Sequence, residues 1–122
     1  MSEIKTAWQD ELQAAYDGSW YWIGGCGGDL QQWIDGYEEA MKAQDIGTPI
    51  QWYLATGAEI NNFMGVQYGS RHAFPTDLTC LMFPLDGLNV GKLAMFKIGM
   101  GDRWFDDLVQ NTRRHVAREA RA

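Results

Sequence analysis

Cysteine is scarce in this chain of 122 residues: there are two, at positions 26 and 80. That spacing gives neither a disulfide framework nor a CxxC redox motif, so a pair of reduced thiols in a cytoplasmic protein is expected. Long hydrophobic runs are also lacking. No stretch of about 18 apolar residues occurs, which excludes a helical membrane span. The opening Met1-Ser2-Glu3-Ile4-Lys5 has no basic region followed by an apolar run, so no secretory leader is expected. Bases are outnumbered, with 10 Lys and Arg against 16 Asp and Glu and a net charge of −6. Such a balance argues against general binding to nucleic acid or to an anionic membrane, both of which require phosphates to be neutralised. Only two histidines are present, which limits the choice of a general base.

What is abundant is apolar and aromatic. Hydrophobic residues make up 46% of the chain and charged residues 21%, which is globular usage rather than that of a disordered chain. The length fits one domain, residues 1–122, large enough to bury a core without metal or disulfide. Six Trp, five Tyr and five Phe exceed what a small core hides easily. Surplus Trp and Tyr are enriched at pockets and subunit interfaces.

The charge is unevenly spread. Residues 1–47 hold nine acids and two bases, whereas residues 102–122 hold four acids and five arginines. Arg114, Arg118 and Arg121 recur at helical spacing, with Arg113 beside them. This cluster suits an acidic partner, a nucleic-acid backbone, or the acidic first 47 residues of the same chain or of a second copy. The segregation of charge favours self-association.

Periodicity predicts the elements. Ile4, Trp8, Leu12, Ala15 and Tyr16 make an apolar stripe and predict a helix over 4–16, ended at Asp17-Gly18. Trp20-Tyr21-Trp22-Ile23 reads as a strand with both Trp on one face. Gly24-Gly25-Cys26-Gly27-Gly28 reads as a loop, and Asp29 as the cap of a helix from Leu30 to about Gln44. Thr48-Pro49-Ile50-Gln51 and Thr56-Gly57-Ala58-Glu59 both look like capping boxes. They predict a short turn or strand at 50–55 and a helix over 57–64 stopped by Gly65. Residues 65–77 form a loop. Leu78–Leu85, Asp86-Gly87 and Lys92–Ile98 predict a hairpin, although one long helix over 90–116 is the alternative. A last helix runs from Arg103 to about Ala120, capped by Gly101-Asp102, with Trp104, Phe105, Leu108, Val109, Thr112 and Val116 inward. The expected fold is α+β, three to four helices on a small, mostly antiparallel sheet; the alternative is all-α.

Cys26 is the chief candidate for chemistry. Four glycines surround it, and the loop runs into a helix N-terminus whose dipole favours a thiolate. His72 is the candidate base, with His115 the other choice; no spacing links either to Cys26. The same loop could cradle a phosphate, but it matches neither Walker A nor GxGxxG. Cys26, Cys80, His72 and His115 lack metal-ligand spacing, so no metal and no cofactor is expected. Trp20 and Trp22, Trp52 and Tyr53, and Trp104 are candidate ligand or interface residues. Gln51, Asn61 and Asn62 are nearby hydrogen-bonding groups. The sequence names no substrate. The favoured expectation is a non-enzymatic binding protein that self-associates, most simply as a homodimer, through a Trp-rich surface, with a protein or small molecule as another partner. The alternative is a small hydrolase or transferase with Cys26 as nucleophile.

Overall fold

The computed structural model describes residues 3–67, 69–100 and 103–121. Among these the elements follow the order β1 (Ile4–Thr6), α1 (Gln9–Tyr16), β2 (Trp20–Ile23), α2 (Leu30–Ala43), β3 (Trp52–Thr56), α3 (Gly57–Met64), β4 (Thr79–Pro84), α4 (Val90–Gly99) and α5 (Arg103–Arg121). The strands form one mixed sheet in the order β1-β3-β4-β2. β1 runs parallel to β3, whereas β4 is antiparallel to both β3 and β2. The α+β expectation holds, and the all-helical alternative does not.

Strand alternation divides the core in two. Trp22, Ala55, Cys80 and Met82 point to one face and pack with α1, α3 and α5, where Leu12, Ile60, Phe105 and Val109 are buried. Tyr21, Ile23, Leu81, Phe83 and Trp52 point to the other and pack with α2 and α4, where Ile34, Tyr37, Met41, Leu93 and Phe96 are buried. The molecule therefore has three layers, with the sheet in the middle.

Local chemistry places several elements where the sequence puts them. Asp29 Oδ1 accepts from the backbone N–H groups of Gln31 and Gln32 at 3.0 and 3.4 Å, so α2 starts there. The Thr56 hydroxyl accepts from the Glu59 N–H at 3.2 Å and donates to the Glu59 carboxylate at 3.1 Å, so α3 starts there with an N-cap, without the reciprocal backbone bond of a full capping box. Gly65 ends α3 in the left-handed conformation, with φ of 69°.

Three expectations fail for reasons of packing. Residues 4–6 are not helical but pair in register with Trp52–Leu54, and helix begins only at Gln9. A three-residue edge strand is fixed by its neighbour, not by its own pattern. Trp8, assigned to a buried stripe, stands exposed as the N-cap residue. At 50–55, where a short turn or strand was expected, the strand holds: β3 follows the Thr48 box directly and no helix opens there. Lys92–Ile98 is not a return strand. Both sides of β4 are already taken by β3 and β2, so no edge remains for a hairpin partner. The chain turns at Asp86-Gly87 and enters α4, whose start is fixed by Asn89 Oδ1 accepting from the Lys92 N–H at 3.2 Å. The proposed cap Gly101-Asp102 lies outside the described residues.

Candidate functional site

The surface of interest gathers around the glycine loop that joins β2 to α2. Gly24 lies under the ring of Phe105: a Cβ there would be 2.3 Å from Phe105 Cδ2. This close approach lets α5 seat against the sheet, with Phe105 between Trp22 and Phe74 at centroid distances of 6.0 and 5.8 Å. From the α2 side, Trp33 folds back over the loop and its indole N–H donates to the Gly27 carbonyl at 2.5 Å. From the α5 side, Trp104 stands over Gly25, 3.7 Å from where a Cβ would be. Trp33 and Trp104 both remain exposed.

Between the loop, α2 and the end of α4 lies an open cleft of about 560 Å³, lined by Gly27, Gly28, Trp33, Gly36, Tyr37 and Met100 among others. Trp33 and Tyr37 stack here at 5.9 Å and 26°. Gly36 sits inside α2, and no other atom lies within 4 Å of the Cβ it lacks. Glycine in a helix interior costs about 0.5–1 kcal/mol relative to alanine. Nothing inside the chain requires that loss.

α4 meets the cleft only through Met100 at its end, and its outer face is a separate surface. A soluble surface helix ordinarily sets a polar face toward water. On α4, Leu93 and Phe96 point inward, yet Val90, Met95 and Ile98 are 52, 69 and 62% exposed. Gly91 and Ala94 are exposed between them. Residues 87–100 contain no acid. The two lysines of α4 are committed within the chain. Lys97 Nζ bonds Asp106 Oδ1 at 2.6 Å and rests over the Tyr21 ring at 4.3 Å; Lys92 Nζ lies 3.5 Å from Asp45. Apart from Lys92 at its edge, what faces outward is apolar.

The candidate residues named from sequence fall in different places. Trp22 and Trp52 are core, 4 and 0% exposed, and present no contact surface. The Trp52 indole donates to Glu38 Oε1 at 2.7 Å, which satisfies its one polar atom against α2. Trp20 and Tyr53 are half-buried and tilt against each other at 4.7 Å. Of the five, Trp104 is the one left well exposed. Asn61 is buried and bonded to the backbone of Phe74; Gln51 bonds the Glu3 and Trp52 carbonyls. Neither lines the cleft.

Cys26 and His72 are not brought together. Cys26 is 3% exposed in the cluster on the α2–α4 side, and its N–H donates to the Thr79 carbonyl at 3.2 Å. His72 lies in the segment between α3 and β4, stacked on His115 of α5 with centroids 3.7 Å apart. That places it on the opposite layer. Sequence gives no hold on such a separation, because both residues sit in connections. Nor is the loop a phosphate cradle: the Asp29 carboxylate takes the first amides of α2 that an anion would need. Among the described residues, no three His, Cys, Asp or Glu side chains converge as a metal site, and no helix is long and apolar enough to cross a membrane. Burial makes a direct expectation. In the folded protein Cys26 should react with iodoacetamide only as fast as the chain opens, while both thiols react at once in guanidinium. Rapid stoichiometric labelling of Cys26 in the native protein would restore it as a nucleophile.

Sequence reasoning missed Trp33 and the outer face of α4, the latter read as a return strand. The signal available for α4 was its complete lack of acids in an acidic chain. No protein-family model matches this chain, and neither a curated protein nor a solved structure gives a significant match.

Proposed function

We propose that this domain is a non-enzymatic interaction protein that pairs with a second copy of itself through the outer face of α4. The observation that carries the reading is the apolar, exposed helix face formed by Val90, Ala94, Met95 and Ile98. Large exposed apolar patches on soluble proteins mark contact sites. Charge selects the occupant. Two copies of a chain with net charge −6 repel each other over most of their surface. The α4 face is where they can meet without acid against acid. Gly91 and Ala94 also leave room for a second helix to approach closely, as a two-fold contact between identical helices requires.

The test is sedimentation equilibrium at micromolar protein. The wild-type chain should run at twice its 13.8 kDa mass, and Ile98→Asp at the mass of one chain with its circular dichroism unchanged. Ile98 points outward, so the fold tolerates the charge. A wild-type monomer throughout the micromolar range, or an Ile98→Asp dimer as stable as wild type, overturns the reading.

A further inference from the structure

A second surface, on the other layer, carries arginines that no carboxylate among the described residues pairs with. The groove between the 66–78 segment and α5 encloses about 780 Å³. Arg71 and His72 line it from the segment; Asn111, Arg114 and Arg118 line it from α5. Spacings of three and four residues put the last three on one side of the helix. Arg71 Nε–H donates to His72 Nε2 at 3.3 Å. His115, stacked on His72, has its Nε2 3.3 Å from Glu119 Oε1. Among the described residues, no carboxylate lies within ion-pair distance of Arg71, Arg114 or Arg118, although the chain holds 16 acids to 10 bases.

We propose that this groove is a binding site for a phosphate monoester, with the guanidinium groups of Arg71, Arg114 and Arg118 as its ligands and the Asn111 amide as a neutral donor. Three guanidiniums set against the single carboxylate of Glu119 leave a local charge of about two, and a phosphate monoester carries about −1.5 to −2 near neutral pH. A carboxylate would leave part of that charge uncovered. Arginine forks also match the tetrahedral oxygens with paired hydrogen bonds. Asp107 shares this side of α5 but stands seven residues from Arg114, about 10 Å along the helix, near the screening length of physiological salt. Leu108 and Ala117 supply apolar wall, and the groove is larger than a free phosphate needs, which suits an organic phosphate. A polynucleotide is disfavoured, since the rest of the chain is acidic.

His72 reports on the site. Partial burial, and then the positive charge of His115, Arg71 and Arg118, hold its pKa below the usual histidine value, against a smaller upward pull from Glu119. An anion seated among the arginines favours the imidazolium and must raise that pKa. The experiment follows the His72 ring resonances of the full chain by NMR while phenyl phosphate replaces chloride at constant ionic strength. Saturable shifts at His72, together with an upward move of its pKa, are expected. In Arg114→Gln/Arg118→Gln the affinity should fall at least tenfold; both side chains are exposed, so the fold should persist. A glutamate-rich peptide is titrated in parallel. Shifts that chloride reproduces, a double variant that binds as wild type does, or saturation by the peptide but not by phenyl phosphate, would each overturn the assignment.

Discussion

Gly57→Ala should unfold this protein at temperatures where the wild type is fully folded. The new methyl would lie 1.8 Å from the carbonyl oxygen of Pro75 and 2.9 Å from its carbon. That carbonyl cannot simply swing aside. It accepts from the Leu78 N–H at 3.0 Å, while the Leu78 carbonyl accepts from the Gly57 N–H at 2.8 Å. The turn before β4 is thus latched onto the first residue of α3, and a side chain at 57 forces the latch open. Overpacking together with the lost hydrogen bonds should amount to about 3 kcal/mol or more. For a domain of this length that lowers Tm by about 10–15 °C. Gly36→Ala makes the same chemical change in α2, where the methyl meets open space. It should stabilise by about 0.5–1 kcal/mol. Thermal unfolding followed by tryptophan fluorescence checks both. Equal and small shifts for the two would mean that the Pro75 turn is not seated on Gly57.

That contrast shows what sequence could and could not reveal. Gly57 and Gly36 look alike as letters, and their difference lies in residues 18 or more positions away or in nothing at all. Elements set by neighbouring residues were legible. Asp29 caps α2, Thr56 caps α3, and Gly65 stops it, because each acts on backbone groups within a few positions. β1 was not legible, since three residues acquire strand conformation only from their parallel pairing with β3. α4 was not legible because it is apolar on its outward face as well as its inward one, which erases the periodicity that identifies a helix. The same property makes it the candidate contact surface, so the missed helix and the proposed contact have one origin. The aromatic surplus did point to exposed rings. Which rings they are depended on the sheet: alternation sends Trp22 and Trp52 into opposite cores, and only Trp104 of the five stays well exposed. The arginines of α5 were visible as a cluster. Arg71, which converts a charged helix face into a groove, is brought in from a segment without helix or strand.

Asn61 anchors that segment through two hydrogen bonds, and removing it should have the second large effect. Asn61, 6% exposed in α3, clasps the backbone of Phe74: its amide N–H donates to the Phe74 carbonyl at 2.9 Å, and its Oδ1 accepts from the Phe74 N–H at 2.8 Å. Phe74 itself is buried against Phe105. Asn61→Ala leaves both backbone groups buried without partners, at about 1–3 kcal/mol each, so a loss of about 3 kcal/mol is expected. Asn61→Asp keeps an acceptor for the Phe74 N–H but turns a second carboxylate oxygen on the Phe74 carbonyl. The neutral form can still donate there, so folding favours it and raises the pKa of the new carboxyl. A carboxyl with a raised folded pKa holds its stability in acid and loses it as pH rises. Asn61→Asp should therefore be closest to wild type near pH 4 and weaken toward neutrality, whereas Asn61→Ala should lose the same amount throughout. Urea unfolding across that range measures both. Hydrogen exchange at the Phe74 amide locates the damage, which should spread through residues 69–77 and spare β2 and β4. Because Arg71 and His72 are carried on that segment, either variant should also weaken the proposed phosphate binding at neutral pH while leaving the proposed α4 contact intact. A protected Phe74 amide and an unchanged urea midpoint in Asn61→Ala would show that the segment is held by Phe74 packing alone.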